Sequence, residues 1–481
     1  MGPFPHDAPA AIISDENPMG TDGIEFVEFA HPDPEQLAAV FRSMGFLPVA
    51  RHRSKNVTLW RQGDVNFVVN AEPDSFAQRF AAEHGPCACA MAFRVVDAQH
   101  AYERALSLGA EAGETRVRPM ELNIPAIKGI GGSLLYFVDR YGDKGSIWDV
   151  DFIWTGERNP KPEQAGLYYL DHLTHNVRRG RMDHWAGWYQ KLFNFRDIRF
   201  FNIEGKLTGL VSRAMTSPCG KIRIPINESL DDKSQIEEYL REYRGEGIQH
   251  VAMGCRDIYD SVAKLTANGL PFMPSPPVTY YEKVDQRVPG HGEAVQKLRD
   301  SGVLIDGEGV IDGGSTKVLL QIFSGTVLGP IFFEFIQRKG DDGFGEGNFR
   351  ALFESIEEDQ IRRGVLKPEH SGHSFKRCNS PLVPAQAGTQ GQKRRTFVRA
   401  LGPRLRGDER ISLLLTLLHL TKELQHLLAR TGAQFLRQPR LVLRGQRLGA
   451  FQQFLPLTRQ LQSVGPPIGR RGQPFSQPAF L

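Results

Sequence analysis

Gly247-Ile248-Gln249-His250-Val251-Ala252-Met253-Gly254-Cys255 is an apolar run with a buried strand's composition, interrupted by one imidazole and one amide. Residues 258–267 follow with a helical spacing of apolar side chains, and Asn268-Gly269-Leu270 then turns the chain into further strands. The same grammar occurs three more times. Residues 23–29 lead to 34–44 and then Gly45-Phe46. Residues 88–96 lead to 98–108 and then Gly109-Ala110. Residues 170–177 lead to 182–192 and then Phe193-Asn194-Phe195. Self-similarity at this scale indicates repeated supersecondary modules. Two pairs of βαβββ modules make an α+β protein of two domains. The expected boundaries are a flexible N-terminus over 1–20, an N-terminal domain over 21–160, a C-terminal domain over 161–370, and a tail over 371–481.

The modules differ in their chemistry. Leu170-Asp171-His172-Leu173-Thr174-His175-Asn176-Val177 carries two histidines, and the run around His250 carries one. A third strand, Phe332-Phe333-Glu334-Phe335-Ile336-Gln337-Arg338-Lys339-Gly340, buries a carboxylate among aromatic residues after the Gly329-Pro330 break. An ionised Glu there costs several kcal/mol unless a cation compensates it. Two imidazoles and one carboxylate are the donor set that holds non-haem Fe(II) on one face, leaving positions open for O2 and substrate. Residues three apart on a strand point to opposite faces, so one of His172 and His175 belongs to the site and the other does not. Alignment of the strand starts sets Phe26 and Ala90 of the first half against His172 and His250. The first half therefore holds no equivalent metal and serves as a scaffold or oligomerisation half.

The chain has 481 residues, 40% hydrophobic and 24% charged, an ordinary composition for a globular protein. Its first twenty residues lack the basic and apolar regions of a secretory leader, and its apolar stretch near 411–420 is too short to span a bilayer. Five cysteines without a C-x-x-C pattern give neither a disulfide framework nor a structural zinc site, and Cys87 and Cys89 are expected as buried small residues. A reducing cytoplasmic setting follows. The net charge of +4 averages two unlike regions. Residues 371–481 hold 18 Lys and Arg against 3 Asp and Glu, so the body is left at −11. An acidic body is a poor partner for nucleic acid or an anionic membrane. The tail is Arg- and Gln-rich, has no Trp or Tyr, and lacks the pattern of a domain.

Beyond Glu334 comes Gly340-Asp341-Asp342-Gly343-Phe344-Gly345-Glu346-Gly347-Asn348-Phe349. Three acids and the lack of a Lys-Ser/Thr ending exclude a phosphate loop. The glycines suit a hinge. Phe349, Leu352, Phe353 and Ile356 then share one face of an expected helix that would serve as a lid.

With these residues in view, roughly 20–368 resembles the 4-hydroxyphenylpyruvate dioxygenase family of the vicinal-oxygen-chelate superfamily. Leu170 to Val177, Pro225-Ile226-Asn227-Glu228, Gly247 to Ala252, Leu320-Gln321-Ile322-Phe323 and the stretch from Phe332 to Glu354 look like its signature blocks. The resemblance implies Fe(II) held by His172, His250 and Glu334. It implies a substrate pocket from Ser212, Asn227, Gln249 and Gln321 on the polar side, with Phe323, Phe332, Phe344, Asn348, Phe349 and Phe353. The implied reaction joins 4-hydroxyphenylpyruvate with O2, releases CO2, hydroxylates the ring and moves the side chain to give homogentisate, a step of tyrosine and phenylalanine breakdown. A homo-oligomer assembled through the first half is also implied. The tail has no counterpart in the family pattern. The rival outcomes are a 4-hydroxymandelate synthase, a ring-cleaving extradiol dioxygenase and a metal-free binding or resistance module of the same fold.

Overall fold

The computed structural model describes residues 8–115, 117–204, 209–232, 234–308, 316–348 and 350–351. All of them lie in one unit, residues 1–374; a second unit, 375–481, falls outside the described residues. Local chemistry explains the repeated grammar. Asp33 caps α1 (Pro34–Ser43), Asp97 caps α3 (Ala98–Ser107) and Asp257 caps α7 (Ile258–Ala267), each carboxylate accepting from a first-turn amide. These helices and α5 (Met182–Phe193) are followed by Gly45, Gly109, Gly269 and Asn194, all with positive φ, which end the helix and redirect the chain.

The first sheet is built from β1 (Thr21–Ala30), β2 (Leu47–His52), β3 (Val57–Gln62), β4 (Val65–Asn70), β5 (Cys87–Val95), β6 (Ala126–Lys128), β7 (Leu134–Val138) and β8 (Phe152–Trp154). The second is built from β9 (Leu167–Val177), β10 (Arg196–Glu204), β11 (Gly209–Thr216), β12 (Arg223–Ser229), β13 (Gly247–Cys255), β14 (Leu304–Glu308), β15 (Lys317–Phe323) and β16 (Phe332–Lys339). Strand order is β6-β7-β5-β1-β4-β3-β2-β8 in the first and β10-β11-β12-β9-β13-β16-β15-β14 in the second. Each module's opening strand pairs antiparallel with its twin, β1 with β5 and β9 with β13. It also pairs parallel with the last strand of its own module: β1 with β4, β5 with β7, β9 with β12 and β13 with β16. The result is two curled mixed sheets with helices, the vicinal-oxygen-chelate arrangement of paired βαβββ modules.

The two faces of each sheet do different work. The outer faces bury helices and meet each other: the Phe333 ring lies 6.2 Å from Phe29 and 6.0 Å from Phe67, so β16 packs against the first sheet. His175 belongs to this outer layer, its Nε2 2.7 Å from the Tyr189 hydroxyl of α5. Truncating Phe333, wholly buried here, would cost about 3–5 kcal/mol. The inner faces are concave. That of the first sheet is filled partly by an apolar cluster including Phe26, Val68, Ala92 and Trp148.

Candidate metal centre

Three strands meet on the inner face of the second sheet. Ala252 pairs with His172 across the antiparallel β13–β9 ladder and with Glu334 across the parallel β13–β16 ladder. His250 lies two residues earlier on β13 and faces the same way. Strands are spaced about 4.8 Å apart, so His172 and Glu334 reach each other only by leaning over the residue between them. Ala252 is small enough to permit it.

They do meet. Glu334 Oε2 lies 3.1 Å from His172 Nε2 and 3.3 Å from His250 Nε2, and the two imidazole nitrogens are 3.4 Å apart. Donors about 2.1 Å from one transition-metal ion sit about 3.0 Å apart on an octahedral face and about 3.4 Å apart in a tetrahedron. The triangle therefore has the size of a metal's coordination shell. Glu334 Oε1 is buried with no hydrogen-bond partner among the described residues, so among them the carboxylate's compensation comes from this cluster. The donor set fits a divalent cation.

Electrostatics agree. Burial pushes the Glu334 carboxyl up, but the adjacent His172 and His250 overcome it and hold the pKa at about 2. Burial pulls His172 down, yet Glu334 and Asp171 outweigh it and leave the pKa raised. Burial wins at His250, which is lowered despite Glu334, and at His175, which falls to about 3. Without a cation, the proton in the cluster is held most tightly at His172.

Two β-bulges orient the histidines. The β9–β13 register skips Asp171 on β9 and Gln249 on β13, so each is an extra residue beside a histidine. A bulge turns two successive side chains towards one side. Each bulged residue uses that freedom to hold its neighbour's ring: Asp171 Oδ1 is 2.8 Å from His172 Nδ1, and Gln249 Oε1 is 3.2 Å from His250 Nδ1. Fixing Nδ1 leaves Nε2 aimed at the cluster.

Asp171 is in turn clamped. Arg338 Nε donates to Oδ2 and Nη2 to Oδ1, both at 2.7 Å, and the Tyr169 hydroxyl donates to Oδ2 at 2.9 Å. Burial alone would raise the Asp171 carboxyl, but Arg338 keeps it well below its ordinary range. The ring of Tyr169 lies flat across Gly254, where a Cβ would fall 1.7 Å from Tyr169 Cε1; no other residue fits there. Arg338 Nη1 also donates to the carbonyls of Asp341 (3.0 Å) and Gly343 (2.7 Å), tying the His172 support to the glycine hinge.

The chain is similar to known proteins in sequence and in fold. The family model described as "Hydroxyphenylpyruvate dioxygenase, HPPD, N-terminal" matches residues 15–153, and that of the "Glyoxalase/Bleomycin resistance protein/Dioxygenase superfamily" matches 169–289. The chain is 61% identical to the 4-hydroxyphenylpyruvate dioxygenase of Pseudomonas aeruginosa over 359 residues, 74% of this chain and 99% of that protein. It belongs to the 4-hydroxyphenylpyruvate dioxygenase family. Another relative, Hemolysin VllY of Vibrio vulnificus, is 64% identical over 356 residues, 73% of this chain and 98% of its own length. A xylose isomerase-like TIM barrel/4-hydroxyphenylpyruvate dioxygenase fusion protein superposes with a TM-score of 0.59 at 32% identity, covering 73% of this chain and 53% of that one. A mutant of 4-hydroxymandelate synthase from Streptomyces coelicolor shares the fold, with a TM-score of 0.59 at 24% identity over 70% of this chain and 98% of that one.

The residues expected to line a dioxygenase substrate pocket fall into three groups. Phe332 stacks on the His250 ring at 4.7 Å, Phe323 lies 5.9 Å from Phe332, and Phe344 sits edge-on to His172 at 5.3 Å. These three wall the cluster. Ser212 and Asn227 form a polar row with Asn176 across β11, β12 and β9, on the face that carries His172. Gln321 belongs to the same face; a Cβ on Gly345, which has φ +76°, would fall 2.2 Å from its Oε1. Gln249 and Asn348 each have a protein partner: Gln249 Oε1 meets His250, and Asn348 Oδ1 accepts from the Tyr280 hydroxyl at 2.6 Å and Arg287 Nη1 at 3.2 Å, while Asn348 Nδ2 is buried with no partner among the described residues. Phe349, Phe353 and most of the expected lid helix lie outside the described residues.

Four residues around the site were not singled out from sequence. Asp171 and Arg338 form the support of His172. Thr174 and Asn176 follow His172 on the inner face, and the Thr174 Oγ1 and both polar atoms of the Asn176 amide are buried without a hydrogen-bond partner among the described residues. The period-two alternation from His172 was the available signal for the last two.

Proposed function

We propose that the chain converts 4-hydroxyphenylpyruvate and O2 to homogentisate and CO2, with Fe(II) held by His172, His250 and Glu334. The convergence of those three donors on one buried point, inside a family of this activity, carries the reading. Bound there, Fe(II) would supply chelation of the 2-oxo acid and activation of O2.

The remaining work falls to the protein. Two neutral imidazoles and one carboxylate leave a bound dication with one net positive charge, which attracts the substrate's carboxylate. Phe332, Phe323 and Phe344 exclude water from the reacting end and present flat apolar surface to the ring. Neutral amides and hydroxyls at Ser212, Asn176, Asn227 and Gln321 suit a phenol, because a charged partner would itself need desolvation. The buried, unpartnered atoms of Asn176 and Gln321 among the described residues supply donors and acceptors for it.

A cytoplasmic enzyme of tyrosine breakdown, assembled as a homo-oligomer through its first half, completes this reading. The test is anaerobic loading with Fe(II), addition of 4-hydroxyphenylpyruvate and O2, and identification of the product. Homogentisate with one CO2 per O2 is expected. 4-Hydroxymandelate, or turnover without iron, overturns the proposal.

A further inference from the structure

The inner face of the first sheet is not completely filled. A cavity of about 420 Å3 opens there, lined by residues of β1, β3, β4 and β7 and by the segments around 72–79, 114–124 and 147–152. The register shows where it sits. Glu28 on β1 pairs with Val68 on β4 and with Ala90 on β5, and Ala90 pairs with Leu134 on β7. This row corresponds to the one that carries Thr174, His250 and Phe332 in the second sheet. The first half thus keeps a pocket in the equivalent place, with different chemistry.

Glu28 is 6% exposed and lines that cavity. Its Oε1 accepts from Asn70 Nδ2 at 2.7 Å, and among the described residues no ion pair is formed by it. Burial pushes its carboxyl up, Asn70 and the charge of Lys55 only partly offsetting this. Ionised, a carboxyl in such a place costs several kcal/mol, of which one amide hydrogen bond returns only a part. Ala90 opposite it is too small to cover it. Phe26, Tyr136, Trp148 and Val57 line the same space, together with charged side chains that include Lys55, Arg79, Arg118 and Asp151. Phe26 stands 5.7 Å from Tyr136 and 5.6 Å from Trp148, forming an aromatic corner of the cavity. A cavity with a buried acid set among aromatic side chains at one end and charged side chains along the rest has the form of a small-molecule site.

We infer that the first barrel binds a small aromatic molecule carrying a hydrogen-bond-donating substituent, a phenol or an ammonium, with Glu28 and Asn70 receiving that group and Phe26, Tyr136 and Trp148 enclosing the ring. This site is separate from the His172–His250–Glu334 cluster and does not depend on the reaction proposed there. Its occupant takes no part in turnover; Glu28 accepts a hydrogen bond from it and transfers nothing.

Calorimetric titration of the full chain tests the inference with three probes. Tyramine carries both donors, phenethylamine only the ammonium, and 4-methylphenol only the hydroxyl. Saturable one-to-one binding of tyramine is expected, and whichever single-donor probe retains it identifies the group that Glu28 receives. Glu28→Gln should weaken binding at least about tenfold, the worth of one hydrogen bond to a charged group. Glu334→Ala should leave it unchanged, which separates this site from the metal cluster. Val68→Phe, which narrows the cavity without altering a polar group, gives the same answer if Glu28→Gln does not fold. Absence of saturable binding for all three probes overturns the inference. So does binding that survives both cavity variants or disappears with Glu334→Ala.

Discussion

The two sheets of this chain are the same backbone with different chemistry. Phe26 pairs with Ala92, which pairs with Tyr136, just as His172 pairs with Ala252 and Ala252 with Glu334. Even the irregularities repeat: the β1–β5 register skips Glu25 and Cys89 where β9–β13 skips Asp171 and Gln249. Glu25 accepts from Arg94 Nε and from Trp148 Nε1 (2.9 Å), as Asp171 accepts from Arg338 and Tyr169. A metal centre thus needs little that is peculiar to its own backbone. Bulges, small middle residue and buried acid are present in both halves, and three side chains decide which half holds a cation.

The largest effects are expected at those three side chains. Replacing His172, His250 or Glu334 by Ala should abolish homogentisate formation, measured by product chromatography, while circular dichroism shows the fold retained. His175→Ala should instead lower the melting temperature and leave iron stoichiometry near one, because its ring packs on Tyr189 in the outer layer. Iron binding that survives His172→Ala but not His175→Ala would refute the ligand set.

One step outward, the bulge acids should separate the halves again. Arg338→Met leaves Asp171 buried and uncompensated, a loss of about 3–5 kcal/mol, and releases the His172 ring. Metal affinity should fall about 10–100-fold, as when the group orienting a ligand histidine is lost. Arg94→Met removes the corresponding partner of Glu25, but Arg94 is partly solvated and touches no ligand. It should destabilise the chain and leave metal affinity as it was. Equal losses of affinity from both changes would show that the metal responds to global stability rather than to the clamp.

What could be read from sequence follows the range of the interactions involved. The four modules were legible because helix caps such as Asp257 and turn residues such as Gly269 act within a few residues. His172, His250 and Glu334 stood out because polar groups inside apolar strands need a reason; alternation admitted only one of His172 and His175, and the family resemblance pointed to His172. The bulges were not legible, since a residue is extra only relative to a partner strand far away in sequence. Asp171 therefore looks like an outward-facing neighbour of His172, and Arg338 like a solvated strand end. The cavity beside Glu28 escapes sequence for the same reason: Glu28, Val57, Asn70 and Tyr136 are brought together by pairing, not by spacing.

A smaller and graded effect is expected from pH. The metal takes neutral imidazole, so a proton on His172 competes with it. His172 has a raised pKa and His250 a lowered one, while Glu334, at about 2, stays ionised throughout the neutral range. Affinity should therefore be constant above the raised His172 value and fall below it by about tenfold per pH unit, the signature of one displaced proton. Asp171→Asn removes one of the charges that favour the imidazolium, so the break should move to lower pH. A break that stays in place, or a slope of two protons, would assign the competition to another group.

The smallest effect is expected outside both halves. The bacterial relatives align over 356–359 residues, 98–99% of their own lengths, leaving about a quarter of this chain without a counterpart in them. Residues 371–481 reverse the charge of the body, with 18 basic against 3 acidic side chains, and contain no Trp or Tyr. This composition and the lack of a counterpart in the relatives give the tail no part in the chemistry expected of the two halves. Both barrels, every residue of the metal cluster and the glycine hinge precede it. A chain ending after Ser374, the edge of the first unit, should turn over 4-hydroxyphenylpyruvate within about twofold of the full chain, a difference below 0.5 kcal/mol in barrier by the usual conversion, about 1.4 kcal/mol per factor of ten. Limited proteolysis of the full chain should remove the tail first. A tenfold or greater loss of kcat/KM on truncation would show that the tail reaches one of the two halves, and repeating the tyramine and metal titrations on the shortened chain would show which.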